Sequence, residues 1–277
     1  MEDTDGQDLE NRNANFWDEL CGTQLAQSIG VVDQSKKSIA KFDQWYMEFY
    51  PYLDEFIKKM HPENKVILEI GLGYGTVSEI LIERSAEYCG LDIARGPVSM
   101  VELRAKRMDK AIRTLQASAL KIPIDDGMFD GVVAIGSLHH TGNLKLAIDE
   151  VFRVLSKNGA GLVMVYNAYS YRRWITSFGV TSRYLIQELF GYRGPVQSTS
   201  MKARSRYDTN SVSEAAPHTD WISKRSMKHL LRQSKSIKIT KLNIGSEFVF
   251  KKWSRDRQTK SIAAKFLGLD LYCEFVV

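Results

Sequence analysis

The chain has 277 residues, 44% of them hydrophobic, and a formal net charge of +5. This length can bury a full core and favours one large domain with added segments. No apolar run approaches the roughly 20 residues that span a bilayer, and the acidic residues 1–5 do not have the pattern of a secretory signal. The cysteines Cys21, Cys89 and Cys273 are scattered without metal-ligand spacing, which predicts reduced core residues in a cytoplasmic protein without a metal site.

Charge is distributed unevenly along the chain. Residues 1–60 contain 12 acidic and 6 basic residues, whereas residues 171–260 contain 19 basic and 6 acidic residues. The basic region indicates either a surface for an anionic substrate or nucleic acid, or solvated helix faces that compensate the acidic N-terminal part. We favour the second interpretation for most of these charges.

The N-terminal part, residues 1–60, predicts a helical segment. Residues 1–14 are polar, and we expect them to be flexible or loosely held. Apolar residues recur at helical spacing over 43–60, which predicts an amphipathic helix. Aromatic residues near its start, Tyr46 among them, either close over a ligand or pack the helix against the sheet.

From residue 61 the sequence alternates between strand and helix patterns, which predicts a parallel sheet with right-handed crossovers. The expected strands span 65–70, 87–91, 113–117, 130–135, 160–166, 237–243 and 271–277. The expected helices span 75–84, 96–108, 144–155 and 221–233. Residues 168–192 predict aromatic helix, and 193–217 predict a loop whose length is often associated with function.

The most specific motif lies in residues 66–76, where a strand suited to burial is followed by glycines at every second position. Glu69 lies near the strand end and precedes Gly71, Gly73 and Gly75. Glycines there let the backbone approach a ligand that a Cβ would exclude. The spacing departs from the dinucleotide fingerprint, and an acid beside the turn disfavours a pyrophosphate. A ligand with positive charge, such as S-adenosylmethionine, fits better.

Further signals follow at the ends of later strands. Asp92 and Ile93 end the second strand, where a carboxylate can accept hydrogen bonds from ribose hydroxyls. Gly136 begins the segment after the fourth strand, and His139 and His140 end it.

These motifs, together with the run Glu-x-x-Arg-Val-Leu within 150–159, resemble those of class I S-adenosylmethionine-dependent methyltransferases, in the small-molecule, type 11-like branch. The resemblance covers residues 62–170. It implies an α/β fold with a Rossmann-like, doubly wound sheet of seven strands, mostly parallel with one antiparallel C-terminal strand. The helical N-terminal segment would precede a methyltransferase domain over 61–277. We expect residues 168–217, inserted after the fifth strand, to form a cap that covers the methyl group and selects the substrate.

The resemblance also implies which residues hold the cofactor. S-adenosylmethionine would be bound by Glu69, Gly71, Gly73, Gly75, Asp92, Ile93, Ser118, Ala119 and Gly136, with Tyr46 as an aromatic cover. The family often has an acid where this chain has Ser118. The adenine amino group would therefore meet a hydroxyl or the backbone at that position.

Three histidines are candidates for the general base that a hydroxyl acceptor requires. His139 and His140 follow the fourth strand, and we expect His140 to face the substrate. His218 lies at a rigid turn before a predicted helix. Each histidine has an alternative role in loop packing, capping or turn structure.

Candidates to bind the acceptor follow the fifth strand and its insertion: Tyr166, Tyr171, Arg172, Arg173 and Tyr207. An arginine fork there would grip a carboxylate or phosphate, and the aromatic rings would stack on a ring of the substrate. Alternatively, these residues form a packed helix start.

The sequence therefore predicts transfer of a methyl group from S-adenosylmethionine to a small-molecule acceptor, an anionic or aromatic metabolite, by in-line displacement. S-adenosylhomocysteine would be the second product. Two alternatives remain open: a nucleic-acid methyltransferase that uses the basic region 171–260, and a non-catalytic binding protein that keeps the fold. A nucleic-acid partner is disfavoured because the fourth strand is followed by histidines instead of a base-methylation signature. No membrane partner is expected, and a homo-oligomer is left open.

Overall fold

The computed structural model describes residues 2–19, 24–196 and 199–277. Cys21 lies outside the described residues. The helices are α1 (Glu2–Trp17), α2 (Gln24–Ser28), α3 (Lys36–Phe49), α4 (Leu53–Lys59), α5 (Thr76–Arg84), α6 (Arg95–Arg107), α7 (Leu144–Val154), α8 (Tyr171–Thr176), α9 (Phe178–Leu189), α10 (Met201–Arg204), α11 (Lys224–Leu230), α12 (Arg255–Lys260) and α13 (Ile262–Leu267). The strands are β1 (Val66–Ile70), β2 (Glu87–Asp92), β3 (Arg113–Gln116), β4 (Phe129–Ile135), β5 (Leu155–Asn167), β6 (Trp221–Ile222), β7 (Ser236–Leu242) and β8 (Asp270–Val276).

One mixed sheet forms the centre of the fold. Seven strands follow the order β3-β2-β1-β4-β5-β8-β7, and the two-residue β6 pairs with β5. Strand β8 is antiparallel to both of its neighbours, and the other pairs are parallel. This arrangement confirms the Rossmann-like, doubly wound sheet with one antiparallel strand. The described residues form eight strands instead of seven, because β6 adds a short parallel pair at the end of β5.

The N-terminal part differs from the sequence prediction in two ways. A helix, α1, forms where residues 1–14 were expected to be loosely held. The single helix expected over 43–60 is divided into α3 and α4, with Pro51 between them. Proline has no N–H to donate and its ring clashes with the preceding turn, so a helix that reaches it ends there.

The segment after β5 also differs in detail. The helical stretch expected over 168–192 is divided into α8 and α9, and the loop expected over 193–217 contains the short helix α10. The helix expected over 221–233 begins only at Lys224, because the Ser223 hydroxyl accepts a hydrogen bond from the backbone of Ser226 and so forms the N-cap.

The sheet buries apolar side chains on both faces. Successive residues of a strand point to opposite faces, and in β1 Leu68 and Ile70 pack with α7 on one face, whereas Ile67 packs with α4, α5 and α6 on the other. Cys89 and Cys273 are buried in β2 and β8, as predicted, and they are not paired with each other. No helix among the described residues is long and apolar enough to cross a membrane.

An ion-pair network under the glycine loop joins three helices. The guanidinium of Arg104 on α6 is paired with Asp43 of α3 at 2.8 Å and with Glu79 of α5 at 2.7 Å. Thr76, the first residue of α5, donates its hydroxyl to Asp43 at 2.6 Å. A buried guanidinium with two carboxylate partners fixes their relative positions. This network therefore holds the start of α5, and with it the loop after β1, in place.

Candidate functional site

A cavity of about 320 Å³ opens at the carboxyl ends of β1, β2 and β4. The strand order reverses between β1 and β4, which is where open parallel sheets bind ligands. Nine of the ten predicted cofactor residues line it: Tyr46, Glu69, Gly71, Gly73, Asp92, Ile93, Ser118, Ala119 and Gly136. The tenth, Gly75, lies below the wall at the N-terminus of α5.

The glycine loop brings bare backbone to the cavity. A Cβ on Gly71 would lie 2.2 Å from the Cβ of Ser137, so the loop can pass that side chain only as glycine. A Cβ on Gly75 would lie 2.8 Å from the side chain of Arg104. At Gly73, which lines the cavity, a Cβ would meet nothing within 4 Å. The loop therefore presents Gly73 to the cavity with open space beside its backbone.

Glu69 places a carboxyl group in the cavity wall at the end of β1. Its Oε2 accepts a hydrogen bond from the Tyr88 hydroxyl at 2.6 Å. Burial raises the pKa of Glu69 to about 7, because a carboxylate loses hydration in the interior. A ligand cation beside this group would favour its ionised form.

Asp92 provides a second carboxyl group, one strand further along. Its Oδ2 accepts from the backbone N–H of Leu72 at 2.7 Å, and its Oδ1 from that of Ala94 at 2.9 Å. Burial raises the pKa of Asp92 to about 6. Each carboxylate oxygen has a further lone pair, so the group can also accept hydrogen bonds from neighbouring hydroxyls of a ligand.

His140 is the predicted catalytic histidine that lines the cavity. Its Nδ1 lies 2.8 Å from the carbonyl oxygen of His218. Because a carbonyl only accepts, Nδ1 must hold the ring hydrogen, and Nε2 is left able to take up a proton. Nε2 lies 3.7 Å from Oδ2 of Asp208. Burial lowers the pKa of His140, so the ring is neutral at neutral pH.

The other two histidines lie behind the wall. His139 is fully buried, neither of its ring nitrogens has a hydrogen-bond partner, and burial lowers its pKa well below the usual value. Its ring packs between those of His140 and Tyr166, with both centroid distances 4.2 Å. The side chain of His218 lies 3.0 Å from Asp220. Neither residue lines the cavity.

The predicted acceptor residues lie outside the cavity wall, and no described residue of 168–217 lines it. Tyr166 donates its hydroxyl to Asp208 at 3.1 Å. The Tyr171 hydroxyl accepts a hydrogen bond from the backbone of Gly245 at 3.1 Å. The ring of Tyr207 lies under the guanidinium of Arg172 at 4.4 Å. These contacts belong to the packing of the segment after β5.

The two arginines already have partners, which corrects the expectation of an open arginine fork. Arg172 is ion-paired with Glu247. Arg173 is 2% exposed, its guanidinium lies 4.6 Å from the ring centroid of Trp221, and burial lowers its pKa. An arginine engaged in this way is not presented to a substrate in the cavity.

Sequence reasoning missed the contribution of the N-terminal helix to the site. Glu10, Asn13, Phe16 and Trp17 of α1 line the cavity. Asn13 donates its side-chain amide to the carbonyl of His140 at 2.8 Å. The polar composition of α1 indicates no buried face, so no local pattern predicts this docking. The aromatic pair Phe16 and Trp17 was the one available signal.

The charged side chains in the cavity wall suit a ligand with a positive charge. Its described part contains four carboxyl groups, from Glu10, Glu19, Glu69 and Asp92, and no lysine or arginine. A phosphate would meet no cation there, whereas a sulfonium or ammonium group would meet carboxylates. The open space above Gly73 supplies the room for such a ligand.

Comparison with known proteins agrees with this geometry. A family described as a methyltransferase domain matches residues 68–163. The chain is 30% identical over 155 residues to a demethylmenaquinone methyltransferase of Thermus thermophilus, an alignment that covers 55% of this chain and 68% of that protein. The next two curated relatives are matched over 56% and 57% of their length.

Solved structures share the fold at low sequence identity. The YcgJ protein of Bacillus subtilis matches with a TM-score of 0.55 and 16% identity, over 82% of this chain and 98% of that one. A Thermotoga maritima protein described as a possible histamine N-methyltransferase matches with a TM-score of 0.52 and 13% identity, over 87% and 96%.

The strand order, the glycine loop and the two buried carboxyl groups define a Rossmann-like protein with a cavity at the point where the strand order reverses. The match to the methyltransferase relative makes the assignment more specific. The chain belongs to the family of class I S-adenosylmethionine-dependent methyltransferases, and it is an enzyme of that family.

Proposed function

We propose that the protein binds S-adenosylmethionine in this cavity and transfers its methyl group to a neutral, aromatic small molecule. The observation that supports this most directly is the open space above Gly73, in the same wall as Glu69 and Asp92. Bare backbone between two carboxyl groups suits a ligand that has a cation at one end and hydroxyls at the other.

In this proposal different side chains of the cavity wall bind different parts of the cofactor. S-adenosylmethionine, when bound, supplies an electrophilic methyl group on a sulfonium. Glu69 lies at the end of β1, where its carboxylate stabilises a cation. Asp92 lies at the end of β2 and accepts hydrogen bonds from ribose hydroxyls. Holding the acceptor atom in line with the methyl group supplies most of the rate, since orientation alone can provide effective molarities on the order of 10⁵–10⁸ M.

The character of the wall favours an aromatic acceptor over an anionic one. Phe16, Trp17, Phe42, Tyr46 and Tyr74 line the cavity. No lysine or arginine does so in the described part of the chain, and an anion would therefore meet only carboxylates. Flat aromatic faces suit a ring. The similarity to a methyltransferase named for a quinone acceptor supports the same class of substrate.

His140 is our candidate for the base when the acceptor is a hydroxyl. Its Nδ1–H is engaged by the carbonyl of His218, so the proton of the acceptor would go to Nε2. The carboxyl group of Asp208, 3.7 Å from Nε2, would then stabilise the imidazolium that forms.

The basic region 171–260 does not support a nucleic-acid methyltransferase. None of its described arginines or lysines lines the cavity, and Arg172 and Arg173 are engaged within the segment after β5. A non-catalytic binding protein would bind the cofactor as tightly, so turnover and not binding distinguishes that alternative.

The proposal is tested by filling the space above the glycine loop. We expect Gly73→Ala to weaken S-adenosylmethionine binding at least tenfold, because the new methyl group occupies the ligand's position. Gly127→Ala is the matched control: both glycines have positive φ, +48° and +70°, and open surroundings, but Gly127 lies in a turn away from the cavity. Both substitutions should cost about 1 kcal/mol of stability through backbone strain. Titration calorimetry that gives equal affinities for the two variants would overturn the site.

A further inference from the structure

The cavity wall beside β3 contains a carboxyl group that does not come from the methyltransferase domain. Ser118 is a wall residue just after β3. The Ser118 hydroxyl donates a hydrogen bond to Oε1 of Glu10, which belongs to α1, at 2.5 Å. Both residues line the cavity. The N-terminal helix thus brings a carboxylate to the position that the strand end leaves without one.

The order of the strands fixes which part of the cofactor reaches this point. Glu69 is at the end of β1 and Asp92 at the end of β2, and β3 is the next strand in the same direction. A ligand with its cation near Glu69 and its ribose on Asp92 must extend its base towards the end of β3. The residues that follow β3 there are Ala117, Ser118 and Ala119, all in the wall.

We propose that Glu10 completes the adenine end of the site by accepting a hydrogen bond from the 6-amino group of the purine. The inference rests on the proposed function. Its Oε1 is held by Ser118, and Oε2 makes no hydrogen bond to the part of the chain that the structure describes. An amino group is a donor and a carboxylate only accepts, so this pairing selects adenine over purines that lack the amino group.

The helix that supplies Glu10 is anchored independently of the ligand. Asn13 donates to the carbonyl of His140 at 2.8 Å and is 4% exposed. Asp18, just after α1, accepts from the backbone N–H of Gly96 at 2.5 Å. These two contacts fix α1 on the segment that follows β4 and on the first turn of α6, so Glu10 is positioned before the base arrives.

The test compares two ligands that differ by a single group. S-adenosylhomocysteine and its analogue with hydrogen in place of the 6-amino group are titrated calorimetrically into the full chain. We expect the wild-type protein to prefer the amino ligand about tenfold or more, in line with a hydrogen bond to a charged group. Glu10→Ala should bring this preference close to one. Asp8→Ala is the matched control, since Asp8 lies on the same helix and its side chain is 64% exposed; it should keep the wild-type preference.

The outcomes separate the inference from the function it rests on. A wild-type chain that binds neither ligand would overturn the proposed cofactor site itself. A wild-type chain that prefers the amino ligand, with a Glu10→Ala variant that keeps this preference, would overturn the role of Glu10 alone. If Glu10→Ala weakened binding of the amino ligand and of its analogue by the same factor, the role of Glu10 would also be overturned. Such a result would indicate a structural effect of α1, which does not distinguish the two purines.

Discussion

The hydrogen-bond partner of the His140 imidazole determines which of its two ring nitrogens holds the hydrogen. The carbonyl oxygen of His218 lies 2.8 Å from Nδ1 and can only accept. Nε2 is therefore the basic nitrogen, and burial lowers the pKa of the ring. Two consequences follow: the ring is already neutral at neutral pH, and it stays neutral at a pH where an exposed histidine would be half protonated.

At the residue scale, we expect His140→Gln to lower kcat about 100-fold or more for a hydroxyl acceptor. The affinity for S-adenosylmethionine should change little. The wild-type kcat should be retained at about pH 6.5, since the lowered pKa keeps the base form populated. Steady-state kinetics over pH and calorimetry measure both effects.

His218→Gln is the control for that substitution. It keeps the backbone carbonyl that holds Nδ1 of His140 and changes only a side chain that contacts Asp220. We expect near wild-type kcat from it. If His140→Gln turned over at the wild-type rate, His140 would not be the base.

At the scale of elements, the segment after β5 is held to the sheet by Arg173. Its guanidinium lies over the ring of Trp221 in β6, and no carboxylate among the described residues pairs with it. Arg173→Ala should lower the free energy of unfolding by about 2 kcal/mol through lost packing and cation–π contact. Arg173→Met keeps the stem and removes a buried charge, so it should be close to neutral.

Chemical denaturation of the two variants measures this difference. Ligand affinities in the cavity should stay at the wild-type level in both, because Arg173 lies outside the wall. A raised KM for the acceptor with unchanged stability would instead support the substrate role that the sequence suggested.

The elements that the sequence predicts well are those whose signals are local. Each strand from β1 to β5 overlaps an expected strand, and α5, α6 and α7 have nearly the expected bounds. The break at Pro51 is visible in the sequence, but the apolar spacing on both sides of it suggests a continuous helix. Strand β6 has no local signal, because two apolar residues before a serine N-cap look like a helix start.

The difference between local and long-range signals also explains which residues of the site the sequence predicts. Glu69, the glycines and Asp92 lie within 24 consecutive residues, and a strand-turn-helix pattern places them together. The contributions of α1 depend on contacts between residues far apart in the chain: Glu10 and Ser118 are 108 positions apart, and Asn13 and His140 are 127. Periodicity and motif spacing contain no information about such contacts, so the polar helix was expected to be loose.

At the scale of the whole molecule, buried carboxyl groups control how stability depends on pH. Burial raises the pKa of Glu69 and of Asp270 to about 7. In the unfolded chain both are ionised above pH 6, so over pH 6.5–8 the folded state binds more protons. The contribution of these two groups to stability therefore falls as pH rises, whereas His139 and His140, whose pKa values burial lowers, contribute in the opposite direction. We expect a loss of roughly 1 kcal/mol per group between pH 6.5 and 8 in the ligand-free protein.

Asp270→Asn isolates one of the two contributions. The asparagine keeps the contact with Asn243, which donates to Asp270 at 2.8 Å, and does not titrate. Urea denaturation at pH 6.5 and 8 should show a smaller loss of stability for this variant than for the wild type. The same pH dependence in Asp270→Asn as in the wild type would contradict the raised pKa of Asp270.

Trp17 gives the cavity wall a built-in fluorophore. Its indole ring lines the cavity, and its centroid lies 4.8 Å from that of the His140 imidazole. Indole emission responds to local polarity and to contact with another ring, so filling of the cavity changes the light that Trp17 emits. Ligand entry can therefore be followed in the unlabelled chain, and a Trp17→Phe variant separates this signal from that of the other four tryptophans.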